Sequence, residues 1–209
     1  VAGIMGVHAE GFPLDAAKAI TWGNCGKFAL LAVLISGLGI AMWWIFHKAE
    51  HLAKHKIPNA WVRIALGGAL ITVMTLIAGD QRFNGAGMDM ALGAVEGNAN
   101  WYDFLLKMLF TAVTLAAGFK GGEVVPSFFV GATFGCLVGP MLGIPAEFAA
   151  AVGLVAVFCG ATNTPLASTF LAVELFGSEG LLYFALACGV SYMLSGYIPR
   201  GHSLPRFVD

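Results

Sequence analysis

One carboxylate stands in an unusual place in this sequence, between a glycine-rich turn and a long apolar segment. Glu123 follows Gly121 and Gly122, and Pro126 comes three residues later. Proline is favoured in the first turn of a helix, so this spacing predicts that a helix begins here. The free N–H groups at a helix start attract anions. An acid at membrane depth costs roughly 2.5–3.5 kcal/mol on insertion scales, which makes it a functional hypothesis.

Two interpretations of Glu123 follow from these residues. In the first, its carboxylate is stabilised by the positive end of the helix dipole. In the second, the amides of Glu123 and Val124 bind a permeating anion while the side chain takes up a proton. A protonated carboxyl donates a hydrogen bond to a small hard anion, whereas an ionised one repels it. The residues alone favour neither interpretation.

The composition indicates a membrane protein with several spans. Of 209 residues, 58% are hydrophobic and 11% are charged, against about 25% charged in soluble domains. The chain starts at Val1 without a charged region before its first apolar segment, so we expect no signal peptide and expect the chain to be part of a longer protein. The four cysteines form no CxxC pair and are predicted to be buried thiols. No enzyme motif, cofactor site or metal site is predicted.

Apolar segments separated by Gly, Pro and charged residues predict a series of helices. They cover residues 28–46, with a charged extension to Lys56, and then 60–78, 104–117, 124–143, 145–160, 166–176 and 180–196. Several are nearer 14 residues than the 20 that cross a bilayer. Short, interrupted segments are typical of transporters with a site near the membrane midplane. A plain bundle of tilted helices is the alternative.

The charges predict an orientation. Lys48, Lys54 and Lys56 lie between the first two spans, with Arg63 close by, and the positive-inside rule makes that loop cytoplasmic. Residues 80–100 are then an external loop without regular periodicity.

Other residues have structural and functional interpretations side by side. Gly131, Gly135, Gly139 and Gly143 recur every four residues, a spacing that lets helix backbones approach closely. Glu174, in a later apolar segment, is either a proton relay or a group hydrogen-bonded inside the bundle.

Two polar clusters have the same ambiguity. His47, His51 and His55 lie on one helix face, which suits either a solvated helix end or a metal. The polar run 162–164 either satisfies a helix break or lines a pore.

Taken together, these residues resemble the CLC family of chloride channels and anion/proton exchangers. The family's second half has a Gly-Gly-x-x-x-Pro turn opening a helix that points at the anion, which stands here at Gly121–Pro126. A small-residue helix follows, here from Gly131. An Ala-x-x-x-Pro-Leu stretch then leads to an intramembrane Glu, here Ala161–Leu166 and Glu174. The resemblance covers about residues 28–196.

Within the family, Gly-Phe-Lys-Gly-Gly-Glu-Val resembles the fluoride-exporting clade. The resemblance implies a fluoride/proton antiporter in which Glu123 takes part in moving fluoride and protons. It also implies a homodimer with one pore per subunit. The implied anion-binding or proton-coupling residues are Gly121, Gly122, Glu123, Val124, Val125, Phe128 and Phe129.

The sequence departs from the family pattern in three ways. Val125 stands where the clade has a Thr. The tail 197–209 does not match the family's last helix. The family's first half, with its external gating glutamate, is absent, so this chain corresponds to the second of two inverted repeats.

The sequence therefore predicts an all-α membrane protein with short and broken helices. Its parts are an external loop at 1–26, a CLC-type transmembrane repeat at 27–196 and an atypical tail at 197–209. Its expected partners are fluoride or chloride, protons, the lipid bilayer, the missing N-terminal half and a second copy, with no nucleic acid. The expected location is a bacterial inner membrane. The alternatives are a chloride channel, a chloride/proton exchanger or an inactive structural fragment.

Overall fold

The structure is a computed structural model that describes residues 25–85, 87–119, 121–122 and 124–196. Within these residues it contains eight α-helices, one 3₁₀ turn at Ser178–Gly180 and no strand. This confirms the prediction of an all-α fold. The helices are α1 (Cys25–Lys56), α2 (Ala60–Ala78), α3 (Met88–Val95), α4 (Asp103–Ala117), α5 (Val124–Met141), α6 (Ala146–Thr162), α7 (Pro165–Phe176) and α8 (Leu181–Gly196). The predicted tail 197–209 and nearly all of the predicted loop 1–26 lie outside the described residues.

The helices differ widely in length. By length and composition, α1, α2 and α5 are long and apolar enough to cross a membrane. With 32 residues, α1 is about 48 Å long and extends beyond the hydrocarbon at its basic end. In contrast, α4, α7 and α8 have 15, 12 and 16 residues. The prediction of short and broken helices is therefore correct.

The turn between α1 and α2 is set by a side-chain cap. Asn59 has an extended backbone and accepts a hydrogen bond from the Trp61 N–H at 3.0 Å. From this cap, α2 runs along the outside of the bundle, where Gly67 is its one buried residue. An exposed apolar helix of this kind suits contact with lipid.

Glycines bring α5 and α6 into backbone contact. A Cβ built at Gly131 would lie 2.3 Å from the Gly153 carbonyl oxygen, and one at Gly135 would lie 2.2 Å from that of Ala149. The structure thus confirms close packing for Gly131, Gly135 and Gly139. The fourth predicted member is wrong: Gly143 follows the end of α5 and adopts a φ of 73° in the next turn.

The segment 80–100 is more regular than the sequence predicts. It contains α3, whose Ala91, Ala94 and Val95 are buried. An eight-residue helix is not stable alone, and packing of its apolar face stabilises it. Because this segment is short and has glycines at both ends, its periodicity was too weak to predict the helix.

Candidate functional site

The turn that leads into the candidate site is fixed at the end of α4. Gly118 has a φ of 92° and donates its N–H to the Leu115 carbonyl at 2.9 Å. A left-handed glycine is a common way to end a helix. From α2, Arg63 donates its Nε–H to the Ala117 carbonyl at 3.4 Å. The first residues of the turn are therefore held by both α4 and α2.

The length of α4 indicates how deep this turn lies. Trp101 and Tyr102, which precede α4, are 71% and 38% exposed, as expected for aromatic residues at a membrane interface. With 15 residues, α4 is about 22 Å long, whereas the hydrocarbon is about 30 Å thick. An α4 that starts at the interface and runs into the bilayer therefore ends before the far side of the hydrocarbon.

The start of α5 has the geometry predicted from the sequence. Its first residue is Val124 and its third is Pro126. The first amides of a helix have no partner within it, and the positive end of the helix dipole is also here. The buried Ser127 hydroxyl donates to the Val124 carbonyl at 2.5 Å. Glu123 lies outside the described residues, so its role stays a prediction.

Open space surrounds the two glycines that precede Glu123. No described atom lies within 4 Å of a Cβ built at Gly121 or Gly122. Both glycines and Val125 line a cavity of about 600 Å³. Its other walls come from α2, α4 and the loop after α2, and its polar lining includes Thr111 and Thr114. The structure thus brings three of the predicted site residues to one cavity.

The two predicted phenylalanines point to different neighbours. Phe129 is fully buried and packs against Phe83 at a ring-centroid distance of 6.4 Å. Phe128 is half-buried and packs against Phe158 of α6 at 4.9 Å. Neither residue lines the 600 Å³ cavity. Successive helix residues point about 100° apart, which separates these two rings.

A sequence model of the family described as "Voltage gated chloride channel" matches residues 2–196. This chain belongs to the voltage-gated chloride channel (CLC) family. It is 37% identical over 187 residues to a chloride/fluoride channel protein of Pseudomonas syringae pv. tomato, an alignment that covers 84% of this chain and 41% of that protein. It is 26% identical over 142 residues to an uncharacterised protein of Methanocaldococcus jannaschii, covering 67% of this chain and 36% of that one.

The fold is also that of a CLC protein. A crystal structure of a CLC-type fluoride/proton antiporter superposes on this chain with a TM-score of 0.86 at 28% sequence identity. The superposition covers 93% of this chain and 49% of the antiporter chain. This CLC chain thus spans less than half the length of each of these relatives. The predicted CLC-type fold is confirmed, and the chain is an integral membrane protein.

Two buried charges on α4 of this CLC chain escaped the sequence analysis. Asp103 and Lys107 are each 1% exposed and lie one helical turn apart. They form no ion pair with each other: Asp103 accepts hydrogen bonds from Asn100, and Lys107 reaches the loop after α2. The available signal was a lone lysine in an apolar segment, because charges are rare at membrane depth.

The remaining predicted polar residues lie away from the cavity. The Glu174 side chain is exposed on α7, lies outside the cavity lining and forms no hydrogen bond or ion pair within the described part of the chain. On α1, His47 stacks on Trp43 at 4.8 Å, and Glu50 pairs with Lys54 at 2.5 Å. These contacts on α1 are those of an ordinary solvated helix end.

Proposed function

We propose that this CLC chain forms the second half of a fluoride/proton antiporter, which exports fluoride as protons enter. The support from the sequence is Glu123, the residue before α5. A protonated carboxyl donates a hydrogen bond, and a small anion such as fluoride accepts one strongly. Two relatives point the same way: one is named as a chloride/fluoride channel protein and the other as a fluoride/proton antiporter.

The observation that carries the proposal is the open space at the helix start. Gly121 and Gly122 contact no described side chain at the Cβ position and line the 600 Å³ cavity. The unpaired amides and the dipole of α5 face the same turn. A region with these properties holds an anion without a fixed positive side chain.

In the proposed mechanism, the amides of Glu123 and Val124 hold the anion. The Glu123 carboxyl takes up a proton from one side and donates a hydrogen bond to fluoride. Loss of that proton leaves a carboxylate that repels the anion and releases it. Val125 contributes no polar group here, and Phe128 and Phe129 stay predicted residues of the path that lie outside the lining of this cavity.

The proposed working unit is larger than this chain. Because the chain spans less than half of its relatives, we propose that a second repeat completes each pore. Two such subunits then form a homodimer in the inner membrane of a bacterium. We expect the 209-residue chain alone to give no halide flux in liposomes.

The decisive experiment is a Glu123→Gln variant of the full-length transporter in liposomes, with fluoride efflux and proton uptake recorded together. Gln keeps the size of the side chain but cannot exchange a proton, so we expect both fluxes to fall to the level of protein-free liposomes. Glu147→Gln is the matched control, because Glu147 is an exposed acid in the first turn of α6. Unchanged fluoride flux and coupling in Glu123→Gln would refute the role of Glu123.

A chloride channel or chloride/proton exchanger is the second candidate. It is favoured by Val125, which places an apolar side chain on the cavity wall at the start of α5. The same liposomes distinguish the two candidates when loaded with equal concentrations of fluoride and chloride. Faster chloride than fluoride efflux in the unmodified transporter would reject the fluoride assignment and leave the family assignment intact.

A further inference from the structure

Lys107 is a buried cation without an acidic partner among the described residues. It is 1% exposed in α4. Its Nζ donates to the Gly85 carbonyl at 2.7 Å and to the Phe83 carbonyl at 3.2 Å. It also lies 5.3 Å from the centroid of the Phe129 ring, within the range of a cation–π interaction. These contacts satisfy two of its three N–H donors and include no carboxylate, so its positive charge is left unneutralised.

The surroundings of Lys107 are shaped to accept it. Gly87 has a φ of 72°, and a Cβ built there would lie 3.0 Å from both the Lys107 Nζ and the Phe129 ring. Any side chain at this position would therefore press on the ammonium. On the other side, Asn84 donates its amide to the Thr75 hydroxyl at 3.1 Å. The segment Phe83–Gly85 is thus held by α2 at one point and by Lys107 at two.

The neutralising charge is not supplied by the acid one turn away on the same helix. Asp103, one turn earlier on α4, directs one carboxylate oxygen to the Asn100 N–H at 2.9 Å and the Asn100 side chain at 3.3 Å. A buried charge is costly without a partner of opposite sign. A neutral side chain such as Gln could donate hydrogen bonds to the same carbonyls. Holding the segment therefore does not explain why the group is charged.

The position of Lys107 suggests what its charge does. Phe83 and Gly85, whose carbonyls it holds, line the 600 Å³ cavity together with Gly121 and Gly122. The ammonium therefore lies behind one wall of the cavity that reaches the candidate anion site. In a medium of low dielectric, its potential acts along that cavity and lowers the free energy of an anion inside it.

We propose that Lys107 is a positioning residue of the anion path, which fixes Phe83–Gly85 as a cavity wall and uses its unneutralised charge to draw halide towards Gly121 and Gly122. This inference rests on the proposed anion transport and adds a group outside the turn that precedes α5. A unit charge acting over about 15 Å at an effective dielectric of about 20 changes the binding of an opposite charge roughly five- to tenfold.

The test compares Lys107→Gln, Lys107→Met and Lys107→Arg in the full-length transporter, with efflux measured against halide concentration at fixed pH. Gln and Met remove the charge, so KM for the halide is expected to rise about five- to tenfold, with a much smaller change in the maximal rate. Arg keeps the charge, so the KM of Lys107→Arg is expected to stay within about threefold of the value for the unmodified transporter. Lys54→Gln is the control, because it removes an exposed charge from the end of α1. An unchanged KM in folded Lys107→Gln overturns the proposal.

A second pair of variants keeps the proposal testable if the neutral Lys107 variants do not fold. Thr111 lies one turn after Lys107 on α4 and lines the cavity. Thr111→Asp and Thr111→Asn differ by one charge at nearly equal size. The Asp variant is expected to have a KM several-fold above that of the Asn variant, and equal values overturn the proposal.

The failure of the proposed function and the failure of this inference give different results. If the unmodified transporter moves no halide, the proposed function fails. If it moves halide and these variants leave KM unchanged, the role of Lys107 alone fails.

Discussion

The helices α5 and α7 both begin at a break in the chain, and the two breaks differ in what fills them. Each helix has a proline at its start, Pro126 as the third residue of α5 and Pro165 as the first of α7. Proline is favoured in the first turn because it has no backbone N–H, and an N–H at that position has no acceptor within the helix. The sequence signals for the two helix starts are therefore alike, and the difference lies in the residues before them.

The break before α7 is closed by its own side chains. The hydroxyls of Thr162 and Thr164 lie 2.7 Å apart, and Thr162 also donates to the Phe158 carbonyl at 2.9 Å. Asn163 adopts the left-handed conformation and donates its N–H to the Cys159 carbonyl at 2.8 Å. The polar groups of this break thus find partners within the chain, which supports the structural interpretation of residues 162–164.

The break before α5 lacks such side chains in its described part. Gly118, Gly121 and Gly122 contribute none, and the space at the last two is open. An open helix start within a membrane needs a partner for its amides, because unsatisfied polar groups are costly there. In the described residues, hydroxyl groups fill the break before α7, whereas the break before α5 is built from glycines and leaves open space.

The largest expected effect comes from filling the open break. We expect Gly122→Val in the full-length transporter to lower halide efflux more than about tenfold. This corresponds to an increase of about 1.4 kcal/mol in the activation free energy of transport. The reason is that the new side chain occupies the space proposed for the anion. The melting temperature should stay near that of the unmodified transporter, because no described atom lies within 4 Å of the new Cβ.

Gly37→Val is the matched control, since a Cβ at Gly37 of α1 also meets no described atom within 4 Å. This variant should keep its transport rate. Normal efflux in Gly122→Val would mean that the open space before α5 is not part of the path.

A smaller effect is expected at the residue that turns the chain before α7. Asn163 has a φ of 60°, a conformation that costs other non-glycine residues about 1 kcal/mol or more. We expect Asn163→Ala to lower the free energy of unfolding by about 1 kcal/mol, with Asn163→Gly within a few tenths of the original. Thermal unfolding of the purified transporter measures both. An Ala variant as stable as the Gly variant would show that the left-handed turn is not required.

The smallest effect is expected from the hydroxyl pair that closes the same break. Thr164→Val removes the contact to Thr162, and interhelical hydrogen bonds in membranes average about 0.6 kcal/mol. We expect a loss of that size in unfolding free energy and an unchanged transport rate. Reduced transport without loss of stability would place the break before α7 on the ion path as well. The two breaks would then no longer differ in function.

Much of the fold was predictable because Gly and Pro mark the ends of apolar segments in this chain. The segment predicted at 145–160 is α6 at Ala146–Thr162, and that predicted at 166–176 is α7 at Pro165–Phe176. The helix α3 was missed because its stability comes from burial of Ala91 and Ala94 against other helices. Such tertiary burial leaves little periodic signal in eight residues.

The candidate site was predictable in part. The spacing of Gly122 and Pro126 was enough to predict where α5 begins. The partners of Lys107 were not predictable, because they are backbone carbonyls 22 and 24 residues away in the chain. Carbonyls carry no residue-specific signal, so only the folded chain shows which lysine they bind.

The contact between α5 and α6 also has a consequence for motion. Gly131 and Gly153 face each other so closely that a Cβ on either would lie within 2.3 Å of the other's carbonyl oxygen. Backbones in such contact resist sliding, as densely packed interiors do, so the two helices should move as one rigid body. Their amides should be among the last to exchange with deuterium. Rearrangement during a transport cycle would then take place outside the α5–α6 pair.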